Sequence, residues 1–269
     1  MLPEFLCESF DTYVFIDKKL NNMKKYLLLG ALCLAGVSPF AQNLKPVQYA
    51  DGTEKLNGLV TANAGKKLPG VLILPAWKGI DEEAKTTAVE LQKKGYIAFV
   101  ADIYGEGNVP ADNAAAAKTS SKYKQDYLAY QRRINLALAE LKKAGALPDK
   151  VAVIGYCFGG TGALEAARAN FQVRGVVSIH GGLGKDASRP NAPLNTKILI
   201  ENPAEDKSVT PEIMDGQIKE MNEGKADWQI ITYAYCKHTF TNLKSPDYNQ
   251  IMAERAWQHT LLFLKEVLQ

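Results

Sequence analysis

Cysteine and histidine are scarce in this chain. Of its 269 residues, four are cysteine and three are histidine. Cys7 and Cys33 fall within the first 41 residues, so only Cys157 and Cys236 lie beyond them. Two thiols build no disulfide framework, and so few scattered thiols and imidazoles offer no metal-ligand spacing. The reading therefore includes no metal and no cofactor. Long apolar runs are also missing, since nothing approaches the roughly 20 residues that a spanning helix needs. Charge of one sign is balanced by the other, with 32 basic and 29 acidic residues giving a net +3. Without a long basic stripe, nucleic acid is not an expected partner.

The longest apolar stretch is Tyr26 to Val37, preceded by Met23-Lys24-Lys25 and followed by Ser38-Pro39-Phe40-Ala41. A charged start, a short apolar run and small residues near a cut after Ala41 describe an export signal over residues 23–41. Residues 1–22 mix acids and aromatics and do not read as a leader, which suggests translation from Met23. The working chain is then residues 42–269, periplasmic or secreted, with no stable membrane anchor after cleavage.

That chain alternates strand and helix patterns with no internal repeat. Strand-like runs are 47–50, 56–62, 70–75, 97–102, 151–155, 173–180, 197–202 and 229–235, and helix-like runs are 82–94, 123–144, 158–170, 211–223 and 249–267. Runs such as VLIL and VAVIG are continuously apolar, as parallel strands covered on both faces must be. The first two strands have no helix between them and read as an antiparallel edge. The expected architecture is one mostly parallel α/β sheet with helices on both faces. Residues 105–121 read as an irregular insertion, either a cap over a pocket or a surface loop with a short Ala-rich helical turn.

The stretch VAVIGYCFGGTGALEAA, residues 151–167, carries the chemistry. A buried strand turns into a helix through Gly155-x-Cys157-x-Gly159-Gly160. So sharp a turn needs small residues two before and two after its tip, and it lifts the tip residue to a helix N-terminus. Unpaired N–H groups there favour a thiolate and then an oxyanion. The turn lacks the spacing of a glycine-rich phosphate loop. Cys157 is accordingly a candidate nucleophile, although a buried cysteine or a plain tight turn would leave the same letters.

A nucleophilic thiol needs a base and a group to orient it. His259 lies in the final helix and is expected on its outer face, and His180 ends a strand in SIHGGLG, where a structural histidine is the bland reading. His238 follows the last strand in TYAYCKHTFTN. The loop after the preceding strand offers Glu201, Glu205 and Asp206; Asp206 is favoured, with Glu205 as fallback. The order Cys157, Asp206, His238, each after a separate strand, is the nucleophile–acid–base order of α/β-hydrolase sheets. The amides of Phe158 and Trp77 are the expected oxyanion donors. Cys236, two residues before His238, is read either as a small packed side chain or as a partner that bridges Cys157 on oxidation.

The pieces GYCFGGTGAL, VVSIHGGL, ADIYG, EDKSV, KHTFTN and ERAWQHTLLFL resemble the dienelactone hydrolase family, spread over residues 47–267. The resemblance implies an α/β-hydrolase fold, a Cys–His–Asp triad without metal, and a small-molecule ester or lactone substrate. Alternatives on the same fold are a thioesterase or peptidase, or a binding or redox module without catalysis. The family's archetypes carry a glutamate three residues before a glycine after the third strand; counting back from Gly79 reaches Ala76. Their two substrate-binding arginines match Glu106 and Asn242. With Tyr104, these are the expected substrate-contacting positions, and the absence of a cation there implies a neutral ester or lactone.

Overall fold

The computed structural model describes residues 43–269, so the readings made on residues 1–22 and 23–41 lie outside the described part. Strands β1 (Leu44–Asp51) and β2 (Glu54–Thr61) form a hairpin paired along its whole length, from Leu44 opposite Thr61 to Asp51 opposite Glu54. Then follow β3 (Leu68–Leu74), α1 (Glu82–Lys93), β4 (Ile97–Val100), α2 (Asn113–Gln125), α3 (Tyr127–Lys143) and β5 (Ala146–Tyr156). The second half runs α4 (Phe158–Arg168), β6 (Gly175–Ile179), β7 (Lys197–Pro203), α5 (Pro211–Glu223), β8 (Trp228–Tyr233) and α6 (Gln250–Leu268). One eight-stranded sheet results, in the order β1-β2-β4-β3-β5-β6-β7-β8. From β4 onward all neighbours are parallel, while β2 runs antiparallel to both β1 and β4.

The apolar runs explain which strands are central. Val71 to Leu74 and Ile97 to Val100 are fully buried. Apart from Ala98, each such side chain contributes about 1.5–3 kcal/mol relative to exposure, and only a strand covered on both faces can collect that along its length. The edge strand β8 instead keeps only Tyr233 fully inside.

Topology sets the place of the site. The chain leaves β3 for β4 on one side, then returns through α2 and α3 to β5 on the other side of β3. The strand order thus reverses between β3 and β5, whose ends meet at Leu74 opposite Gly155. A crevice opens outside the carboxyl ends of strands at such a reversal. The loops holding Trp77 and Cys157 diverge from there.

Several element boundaries differ from the sequence reading, and three of the differences are substantial. The Ala-rich part of the 105–121 insertion is the full helix α2, because Asp112 caps it by accepting from the Ala115 amide at 2.8 Å. The helix read as continuous over 123–144 breaks at Asp126, which ends α2 and caps α3 through the Ala129 amide at 3.0 Å. Strand β5 begins at Ala146 rather than Val151, with a register shift against β3 that the apolar pattern does not reveal.

Candidate active site

The turn after β5 is built by steric exclusion. Cys157 has φ 52° and ψ −111°. That is a left-handed backbone for a non-glycine residue, costing on the order of 1–3 kcal/mol. A Cβ on Gly155 would overlap the carbonyl of Gly159, and a Cβ on Gly159 would overlap the carbonyls of Leu74 and Pro75. Glycine is therefore required for strand and helix to approach so closely. Beneath the turn, Phe158 stacks on Tyr130 with ring centroids 4.5 Å apart, and on Tyr104 at 5.6 Å. The Tyr130 hydroxyl donates to the Phe158 carbonyl at 2.9 Å. These aromatics hold the strained residue from below.

Cys157 Sγ lies 3.0 Å from His238 Nε2, and His238 Nδ1 lies 2.7 Å from Asp206 Oδ2. Asp206 is buried, while the Glu205 side chain is exposed and only its amide is used, donating to the Cys236 carbonyl at 2.8 Å. The other Asp206 oxygen accepts from the Ser208 amide at 2.9 Å and hydroxyl at 2.7 Å. Burial pushes the Asp206 carboxyl up, but the His238 and Ser208 hydrogen bonds outweigh it and hold the pKa near 2. Burial pulls His238 down, but its bonds to Asp206 and Cys157 and their charges outweigh that and raise it to about 10. The imidazole is thus strongly basic and aimed at the sulfur.

Phe158 is the first residue of α4, so its N–H points out of the helix with no acceptor in it. The Trp77 loop is fixed by the Gly79 amide donating to the Ala76 carbonyl at 3.0 Å and the Tyr104 hydroxyl donating to the Trp77 carbonyl at 2.8 Å. Trp77, Cys157 and His238 together line a cavity of about 680 Å³. Part of its wall comes from Tyr123, Lys124 and Gln125 at the end of α2, whereas none of the residues 105–121 that were read as a possible cap lines it.

The three substrate-contacting expectations are placed elsewhere. Tyr104 is buried and supports Phe158 and Trp77 from beneath the cavity. Glu106 is exposed, its amide tied to the Lys55 carbonyl at 2.8 Å, and it does not line the cavity. Asn242 lines a different cavity and accepts from the Lys244 amide at 2.9 Å. The cations facing Cys157 are instead Lys124, Lys185 and Arg189. Arg189 is engaged by Glu165 at 2.8 Å and Lys185 by Glu220 at 3.3 Å. Among the described residues, Lys124 makes no ion pair. No motif flags these residues, because α2 and the segment after β6 reach the cavity only through tertiary packing.

His180 also has a place the sequence reading left bland. It is buried at φ 39°, and its Nδ1 accepts from the Cys157 amide at 3.1 Å. Burial, with the charge of His238, lowers its pKa to about 3, so the ring is neutral and carries its proton on Nε2. That nitrogen lies 2.9 Å from Thr241 Oγ1, which donates to Glu83 at 2.7 Å. Among the described residues both cysteines are free thiols: Cys157 faces His238, and Cys236 is buried among Tyr233, Phe240 and Ala256. The bridge considered between them is absent, since Cys236 packs into this cluster. His259 is not on an outer face but half-buried, with Nδ1 2.8 Å from the Tyr233 hydroxyl.

The profile of the dienelactone hydrolase family matches residues 56–268. The chain belongs to this family. As a dienelactone hydrolase family member it is a hydrolase with the α/β-hydrolase fold. It is 26% identical over 225 residues to "Probable 2-oxo-3-(5-oxofuran-2-ylidene)propanoate lactonase" of Bradyrhizobium sp, covering 80% of this chain and 90% of that one. Its fold is similar to that of a dienelactone hydrolase-like promiscuous phosphotriesterase from metagenomic libraries. There the TM-score is 0.78 at 29% identity, over 84% of this chain and 98% of the other. An acylaminoacyl peptidase of Pyrococcus horikoshii shares the fold at 12% identity, with a TM-score of 0.62 over 84% of this chain and 42% of the peptidase.

Proposed function

We propose that this member of the family hydrolyses a carboxylic ester or lactone through a thioester on Cys157. The observation that carries the reading is the continuous contact from Asp206 through His238 to the Cys157 sulfur, at 2.7 and 3.0 Å. His238 takes the thiol proton, and the imidazolium is stabilised between Asp206 and the thiolate. The sulfur attacks the carbonyl carbon, and the Phe158 and Trp77 amides receive the developing oxyanion. Collapse of the tetrahedral species breaks the C–O bond, and His238 protonates the departing alkoxide. In a lactone that alcohol stays attached to the acyl group. Water then gives its proton to His238, attacks the thioester and releases the acid and the thiol. Asp206 keeps Nδ1 protonated, so Nε2 is the end that exchanges protons.

The cavity favours a compact substrate with an apolar part against Trp77, Tyr123 and Tyr127. We assign the working compartment to the periplasm or exterior on the pattern of residues 23–41 alone; N-terminal sequencing of the mature protein tests this. The central experiment is a panel of esters and lactones with wild type and Cys157→Ala, read by product release and by the mass of trapped acyl-enzyme. A hydrolysis rate unchanged in Cys157→Ala, or a covalent adduct on another residue, refutes the mechanism.

A further inference from the structure

A second cavity, of about 440 Å³, lies between α1, α6 and residues 241–244, over the ends of β5, β6 and β7. It shares no lining residue with the cavity at Cys157. Its apolar walls are Ile179, Leu243, Ala253, Ala256 and Trp257. Four carboxyl groups line it, Glu82, Glu83, Glu90 and Glu201, of which Glu83 and Glu201 are the two without an ion pair among the described residues.

Glu201 is fully buried. Oε1 accepts from the Thr260 hydroxyl at 3.0 Å, and Oε2 has no hydrogen-bond partner among the described residues. A carboxyl oxygen removed from water without a donor is a net cost to the fold. Glu83 has Thr241 as its hydrogen-bond donor, and neither Glu83 nor Glu201 forms an ion pair among the described residues. The outer glutamates of the same helix differ, since Glu82 pairs with Lys85 and Glu90 with Lys93. Thr87 Oγ1 and the Tyr156 hydroxyl engage each other at 2.9 Å. Lys244 is exposed at the rim.

We propose that this cavity is a binding site for a small organic cation, a primary ammonium carried on an apolar body. Once Glu201 has given up its proton, the ammonium supplies the partner that Oε2 lacks and can share its N–H donors with Glu83. The apolar body covers the aliphatic wall and the Trp257 ring, which also attracts a cation. A metal ion fits less well: among the described residues, no three His, Cys, Asp or Glu side chains converge to hold one. Burial raises the Glu201 carboxyl to about 8 and Glu83 to about 7. At neutral pH, Glu201 therefore enters the complex protonated. Binding breaks its O–H bond, the proton leaves to buffer, and the ammonium keeps all of its own.

The test is calorimetry on the full chain at pH 7 with hexylammonium, and with hexan-1-ol as the neutral counterpart, each in two buffers of different ionisation enthalpy. One hexylammonium per chain should bind with net proton release, and hexan-1-ol should bind at least tenfold more weakly. Glu201→Gln should weaken hexylammonium about 10- to 100-fold, the range of a charge-assisted bond, and reduce the proton release. Ala253→Leu, which fills the cavity without touching a carboxyl, should abolish binding. Aryl-ester turnover in both variants reports that the fold is intact and is expected to stay near wild type. Equal affinity for amine and alcohol, no saturable binding of the amine at millimolar concentration, or binding unchanged in either variant overturns the proposal. None of these outcomes depends on whether Cys157 is the nucleophile.

Discussion

Replacing Asp206 with asparagine tests the site most sharply. The substitution keeps the shape and removes the charge. In the native arrangement Asp206 accepts His238 Nδ1–H at 2.7 Å and two hydrogen bonds from Ser208. Its pKa is held near 2 against an ordinary value of 3.8. At about 1.4 kcal/mol per unit, that difference is worth on the order of 2–3 kcal/mol, shared between His238 and Ser208. Losing the His238 share alone predicts a fall in acylation rate of roughly tenfold to a hundredfold. An asparagine that turns its amide N–H toward Nδ1 also reverses the tautomer, leaving Nε2 protonated against the sulfur with no proton-accepting end. In triads of this geometry the combined loss reaches about 10⁴. We therefore expect stopped-flow acylation by an activated aryl ester to slow by 10²- to 10⁴-fold. The His238 imidazole, whose pKa is raised to about 10 by its bonds to Asp206 and Cys157, should titrate at lower pH in Asp206→Asn when followed by its NMR resonance. A folded variant whose acylation falls less than fivefold, with the His238 titration unmoved, would show that Asp206 does not orient the base.

Gly159→Ala drives a methyl group into the Leu74 and Pro75 carbonyls, and a drop of about 1–3 kcal/mol or more in urea denaturation is expected, with activity lost in parallel. Arg168→Met removes the cation between Glu165 and Glu220, which it meets at 2.9 and 2.8 Å while buried, so a loss of about 3–5 kcal/mol should appear in the same assay. Lys124→Ala should lower kcat/KM for an ester with an anionic acyl group by about two- to fivefold, the range of one exposed charge, and leave a neutral ester unchanged. Glu201 has a folded pKa of about 8 against an ordinary 4.5. Its contribution is fully present below pH 4.5 and lost as the pH rises to 8. Glu201→Gln should remove a decline on the order of 3–5 kcal/mol across that window, measured as the wild-type-minus-variant difference in unfolding free energy.

The sequence by itself determined the layered α/β order and the turn at Cys157. Apolar runs such as Val71–Leu74 can be satisfied only between two layers of helices, and the small residues around Cys157 answer a local steric demand that any single chain displays. Asp206 and His238 were legible too, because each follows a strand, and strand ends in a parallel sheet point to one side. Other features depended on contacts between segments far apart in the chain. The break at Asp126 is a local exception, since its side chain caps the second helix through Ala129 only three residues on, a signal that the helical pattern across it masks. Lys124 reaches the Cys157 cavity while Glu106 and Asn242 do not, since the path of α2 is set by what it packs on rather than by its letters. His180 beneath Cys157 read as a structural histidine and Glu201 as one of three candidate acids, and neither reading gave the place that the fold assigns them. What they do was decided by the sheet, which carries the ends of β6 and β7 into a buried space where a polar atom either finds a partner or is left without one.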